Sequence, residues 1–146
     1  MPLLNDKIQG QVRKTLEGMT GPVKLVMFTQ SSGALECEMC AETRALVEEI
    51  AALAPEGKLG VEVHDFVADT ATVESYKVDK IPAIAIVGAQ DYGIRYYGIP
   101  SGYEFSSLMD DIMAVSKGES GLSSATKAAV AKINQPIHIQ VYVTPT

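Results

Sequence analysis

Cys37 and Cys40, the two cysteines of this chain, stand three residues apart in Cys37-Glu38-Met39-Cys40. The strand-like run Val23–Phe28 precedes them, and Ala41–Ala54, apolar at helical spacing, follows at once. A strand that empties into C-x-x-C at a helix start constrains the local fold closely. In a first helical turn, residues three apart share a face at roughly 5–6 Å, within the Cα span of a disulfide. Cys37 is then expected among unpaired backbone N–H groups at the positive end of the helix dipole, where thiolate is favoured over thiol.

Other uses of the pair fit less well. Structural zinc takes four protein ligands and the motif supplies two. The histidines, His64 and His138, lie in separate strand-like runs, so no metal is assigned. An iron–sulfur cluster shared between two chains asks for more still. A static disulfide is poorly motivated, because closing so short a loop removes little unfolded-state entropy. Two inert buried thiols are the plain alternative to a reversible redox dithiol, and the dithiol is the favoured reading.

A chain of 146 residues suits one domain with a full core, and 47% hydrophobic content argues against disorder. The net charge is −6, with no basic patch interleaved with aromatics, which excludes nucleic acid as an expected partner. The first residues lack a basic start and a long apolar run, and no stretch approaches the roughly 20 apolar residues that span a bilayer. The expectation is a cytoplasmic protein with no membrane partner. Stable disulfides are rare in that compartment outside hyperthermophiles, so a C-x-x-C there argues for one that cycles.

Leu4, Ile8, Val12, Leu16 and Met19 form an apolar helical stripe with Asn5 or Asp6 as caps, ended by Gly18, Gly21 and Pro22. The strand Val23–Phe28, a polar loop Thr29–Glu36 and the motif follow. The next helix is expected to bury Ala41, Ala45, Leu46, Ile50, Leu53 and Ala54 and to stop at Pro55-Glu56-Gly57. Residues 61–66 alternate as a second strand, and Asp69 or Thr70 caps a short helix to Tyr76. After Ile81-Pro82 come strand Ala83–Val87, its hairpin partner Ile94–Ile99, and helix Tyr103–Ser116. This βαβαββα order predicts an α/β class with a mixed sheet between helices.

The same order resembles the thioredoxin fold from Val23 to about Gly118. Met27 is apolar where thioredoxins carry a buried aspartate, as in glutaredoxins. The stretches Tyr92-Gly-Ile-Arg-Tyr-Tyr-Gly-Ile-Pro-Ser-Gly-Tyr-Glu-Phe105 and Val141-Tyr-Val-Thr-Pro-Thr146 are similar to the glutaredoxin-like protein disulfide oxidoreductases of thermophilic archaea and bacteria. Those proteins join two thioredoxin-fold units, each usually with its own C-x-x-C. The resemblance implies a first unit over residues 1–118, then a linker helix and the first strand of a second unit over residues 119–146. The second motif is expected just past Thr146. The Ser31–Glu36 loop is longer than the family's usual approach to the first motif. The N-terminal domain of the alkyl hydroperoxide reductase flavoprotein is a second relative, but its first unit typically lacks the cysteines.

The resemblance further implies that Pro82 is cis and faces the disulfide, that Ile81 offers its backbone to substrate peptides, and that Gly98 lines the same groove. From sequence alone, a proline at a strand start is ordinary and X-Pro bonds are cis in about one case in twenty. Gly98 also reads as a strand-end turn. Glu38 and Met39, between the thiols, are modulating positions. The Glu38 carboxylate disfavours the thiolate, or simply stabilises the helix start. His64 shares a side with Glu62 and Phe66 and reads as a partly buried, satisfied histidine.

The expected function is thiol–disulfide exchange on protein substrates through catalytic Cys37 and Cys40, with no cofactor. Its partners are protein thiols or disulfides and an upstream reductase or thiol donor. The alternative is a docking or scaffold unit with silent cysteines. The alternating tail, Ile137, Ile139, Val141 and Val143 against His138, Gln140 and Tyr142, is expected to pair with a sheet edge, giving a homo-oligomer if in a neighbouring chain, or to be poorly ordered.

Overall fold

A computed structural model of the chain describes residues 2–31 and 33–144. Ser32 of the expected loop and Pro145-Thr146 of the expected tail strand lie outside the described residues. The elements follow in the order α1 (Asp6–Leu16), β1 (Val23–Thr29), α2 (Cys40–Ala52), β2 (Leu59–Asp65), α3 (Thr70–Ser75), β3 (Ala83–Val87), β4 (Asp91–Tyr97), α4 (Tyr103–Lys117) and α5 (Ser124–Val130). The four strands form one mixed sheet in the order β2-β1-β3-β4, with β1 parallel to β2 and antiparallel to β3, and β3 antiparallel to β4.

Local chemistry sets the element ends. Asn5 caps α1 by accepting the Ile8 N–H at 3.0 Å, satisfying one of the donors a helix start leaves free. The apolar stripe of α1 then buries Val12 and Leu16 beside Leu4 and Met19. Gly21 lets the chain turn into β1 against the end of α4: a Cβ there would sit 2.7 Å from the Ser116 carbonyl oxygen. Strand β4 begins at Asp91, three residues ahead of the expected Ile94. Its first residues, Asp91-Tyr92-Gly93, are exposed, so apolar alternation could not mark them, and Arg95 anchors Asp91 at 2.6 Å.

The core divides across the sheet. One face packs Leu25, Met27, Ile84 and Ile86 against α1, α2 and α4; the other packs Val26, Phe28, Ala83 and Ala85 under Val73 and Val78. Because β1 is central, residues 25–28 are 0% exposed on both faces.

Helix α2 departs from the expected burial. Cys40, Thr43, Leu46, Val47 and Ile50 are inside, whereas Ala41 and Ala45 face out. Small alanines tolerate either side, so the larger Leu46, Val47 and Ile50 set the rotation. In the tail, Ser123 caps α5 by accepting the Thr126 N–H, and residues 135–144 are exposed, with no strand pairing among the described residues.

Candidate redox site

Cys37 and Cys40 are joined by a disulfide with a Cα separation of 5.4 Å. The helix starts later than expected. Met39 is the N-cap of α2 and Cys40 its first residue, so Cys37 lies in the preceding turn rather than in the first helical turn. The Cys40 N–H reaches the Cys37 carbonyl at 3.4 Å, and the Thr43 N–H donates to the Met39 carbonyl at 2.9 Å. Met39 is at φ −97°, ψ 0°, the bridge conformation that closes a turn, which is why regular helix begins one residue after it. Cys37 still faces the N-terminal, positive end of α2.

The two cysteines differ in access. Cys40 is 4% exposed and Cys37 is half-buried; Glu38 between them is exposed and Met39 half-buried. This asymmetry follows from position, since Cys40 sits on the buried stripe of α2 and Cys37 in the turn outside it.

The Ile81-Pro82 peptide bond is cis, as the resemblance implies. Register places it at the end of β1 from which the chain leaves toward the motif: Ala83, the residue after Pro82, pairs with Phe28 near that end. Pro82 is buried and Ile81 half-buried. Gly98 follows β4 beside them at φ +84°, and a Cβ there would meet no atom within 4 Å. The space on its side is therefore open, and the positive φ is what favours glycine.

One part of the site was not anticipated. The Asp65 carboxylate accepts the N–H groups of Ser31, Val67 and Ala68 and lies near the Ser31 hydroxyl, clasping the loop ahead of the motif to the end of β2. The Ala68, Ser31 and Val67 N–H donors hold the Asp65 carboxyl below the ordinary aspartate value. A cavity of about 550 Å³ opens there, lined by Thr29, Ser31, Ala41, Arg44 and the two aspartates Asp65 and Asp69. The signal in the sequence was Asp65-Phe-Val-Ala-Asp69, two turn-forming aspartates after a strand.

His64 places Nε2 2.6 Å from Glu62 Oε1 and Nδ1 3.3 Å from Asp69 Oδ2, and stacks on Phe28. Lys24, and secondarily His64, keep the Glu62 carboxyl below its ordinary value. The histidine is a tied, mostly buried side chain on the sheet face away from α2.

No protein-family model matches the chain, and no curated protein matches it. Solved structures do. A protein disulfide oxidoreductase from Aeropyrum pernix K1 is 32% identical over 88% of this chain, with a TM-score of 0.75; the match covers 54% of that protein. The N-terminal domain of alkyl hydroperoxide reductase AhpF from Enterococcus faecalis is 23% identical over 87% of this chain, also at 0.75, with 59% of that structure covered. A malaria-parasite thioredoxin-2 is 12% identical over 62% of this chain at 0.51, covering 84% of that protein, and shares the fold alone. The chain spans little more than half of the first two relatives. It thus has a thioredoxin-like fold and resembles, along most of its length, about half of an archaeal protein disulfide oxidoreductase.

Proposed function

We propose that the chain is a thiol–disulfide oxidoreductase acting on protein disulfides through Cys37 and Cys40. One observation carries the reading: a Cys37–Cys40 disulfide with one half-buried and one buried cysteine at the start of α2, on the fold of a protein disulfide oxidoreductase.

In the reduced pair, the Cys37 thiolate attacks a substrate disulfide, forming a mixed disulfide and releasing one substrate thiolate. Cys40 then attacks Cys37 Sγ, the mixed bond breaks, and the second substrate sulfur leaves as a thiolate that takes a proton. The substrate gains two electrons and Cys37–Cys40 is oxidised by two. An upstream reductase or thiol donor resets the pair, and the reverse sequence oxidises a substrate dithiol. Ile81, cis-Pro82 and Gly98 form the wall along which an extended substrate lies, with the open side of Gly98 leaving room for its backbone. Glu38 and Met39 modulate the pair from between the cysteines.

The domain reading extends this. Residues 1–118 act as the thioredoxin-fold unit, and residues 119–146 lead into a second unit or pair with a neighbouring chain, as the exposed Ile137, Ile139, Val141 and Val143 favour. No helix among the described residues is long and apolar enough to cross a membrane; the cytoplasm is the proposed compartment.

The test is reduction of insulin disulfides by dithiothreitol in the presence of the chain. Turnover that Cys37→Ser abolishes is the expected result. Equal rates with and without Cys37 would overturn the reading and favour a docking unit with silent cysteines.

A further inference from the structure

Three polar side chains are buried in the described molecule: Thr29, Thr43 and Ser116. The Ser116 hydroxyl donates to the Gly21 carbonyl at 2.7 Å. Thr43, 0% exposed, has an Oγ1 with no hydrogen-bond partner in the disulfide form.

A threonine inside a helix ordinarily returns its hydroxyl to the carbonyl four residues back. Thr15 does this in α1, reaching the Gln11 carbonyl at 3.0 Å. The matching acceptor for Thr43 is the Met39 carbonyl, which takes the Thr43 N–H at 2.9 Å but not the hydroxyl. The donor is thus left idle, at a cost a valine of the same shape would avoid.

Cys40 and Thr43 are three apart on the buried stripe of α2, and such residues are neighbours on a helix face. A disulfide sulfur accepts hydrogen bonds weakly, whereas a thiolate accepts them strongly. We propose that Thr43 is a positioning residue for Cys40: its hydroxyl is idle in the disulfide and donates to the Cys40 sulfur once the pair is reduced.

This rests on the reading that the pair cycles. When a dithiol reduces Cys37–Cys40, the S–S bond breaks, two electrons enter the pair, and the donor becomes a disulfide. Negative charge reaches Cys40 when it leaves as a thiolate and again when it attacks the mixed disulfide. Apolar burial disfavours that charge. The Thr43 O–H offsets the penalty, so it favours the reduced pair and speeds resolution.

Equilibration with graded mixtures of reduced and oxidised dithiothreitol tests this on the chain as it stands. Thr43→Val should shift the thiol–disulfide equilibrium toward disulfide by about tenfold, equivalent to about 30 mV for a two-electron couple. Thr43→Ser, which loses the γ-methyl but keeps the donor, should stay within about twofold of the parent. Thr43→Ala repeats the measurement if the valine variant folds poorly. An unchanged potential without the hydroxyl, or equal shifts in the serine and valine variants, would overturn the proposal. The equilibrium needs no protein substrate. A Thr43-dependent potential without insulin turnover would therefore sink the proposed function and leave this inference standing; turnover with an indifferent Thr43 would do the opposite.

Discussion

The Gly98 N–H donates to the Pro82 carbonyl oxygen at 2.9 Å, tying the residue after β4 to the residue before β3. The bond joins two of the proposed substrate-contact positions through backbone alone, so it survives any side-chain change at either. A side chain at Gly98 acts instead on the cost of its backbone conformation, φ +84°.

Gly98→Ala should therefore lower stability by roughly 1–2 kcal/mol, the cost of placing a Cβ in the left-handed region. Steric clash adds nothing, because the space is open. Urea denaturation with linear extrapolation measures it. If the proposed groove holds, KM for insulin rises in the same variant while the Cys37–Cys40 equilibrium stays put.

Access orders the thiols. After reduction, limiting alkylation at low pH followed by peptide mapping should label Cys37 well ahead of Cys40, which is 4% exposed. Preferential labelling of Cys40 would reverse the proposed roles of attacker and resolver.

The start of β4 makes stability depend on acid. Hydrogen bonding to Arg95 holds the Asp91 carboxyl below its ordinary value of 3.8, and Arg95 continues to the Tyr76 carbonyl at 3.1 Å, linking β4 to the end of α3. A carboxyl depressed in the folded state stabilises it above the unfolded value, and that contribution is lost as pH falls through the folded one. Asp91→Asn should be less stable than the parent near neutral pH, and the difference should shrink on acidification below about pH 4. Thermal melts at a series of pH values read the two curves; a gap that widens in acid would refute the pairing.

Gly21→Ala tests the seam between the start of β1 and α4. The added Cβ would stand 2.7 Å from the Ser116 carbonyl, a backbone atom held by the Gly21 N–H at 3.1 Å and therefore unable to rotate away. Overpacking of this kind costs about 1–3 kcal/mol. A lower urea midpoint with an unchanged slope is the expected readout, and full stability would mean that the seam yields at little cost.

Local chemistry alone determined much of this molecule. The apolar run 23–28, the Asn5 cap and the Cys37–Cys40 spacing each act over a few residues, and each is found where those residues place it. Long-range packing decided the rest. Which side of α2 turns inward depends on what the sheet offers opposite it, so Ala41 and Ala45 face water and Thr43 lies buried on the same stripe as Cys40. The Asp65 clasp on Ser31 joins residues 34 positions apart, beyond the reach of any local pattern. The exposed residues 135–144 show the converse: alternation is a local property, but a strand exists only where a second backbone accepts its hydrogen bonds, and within the described chain none does.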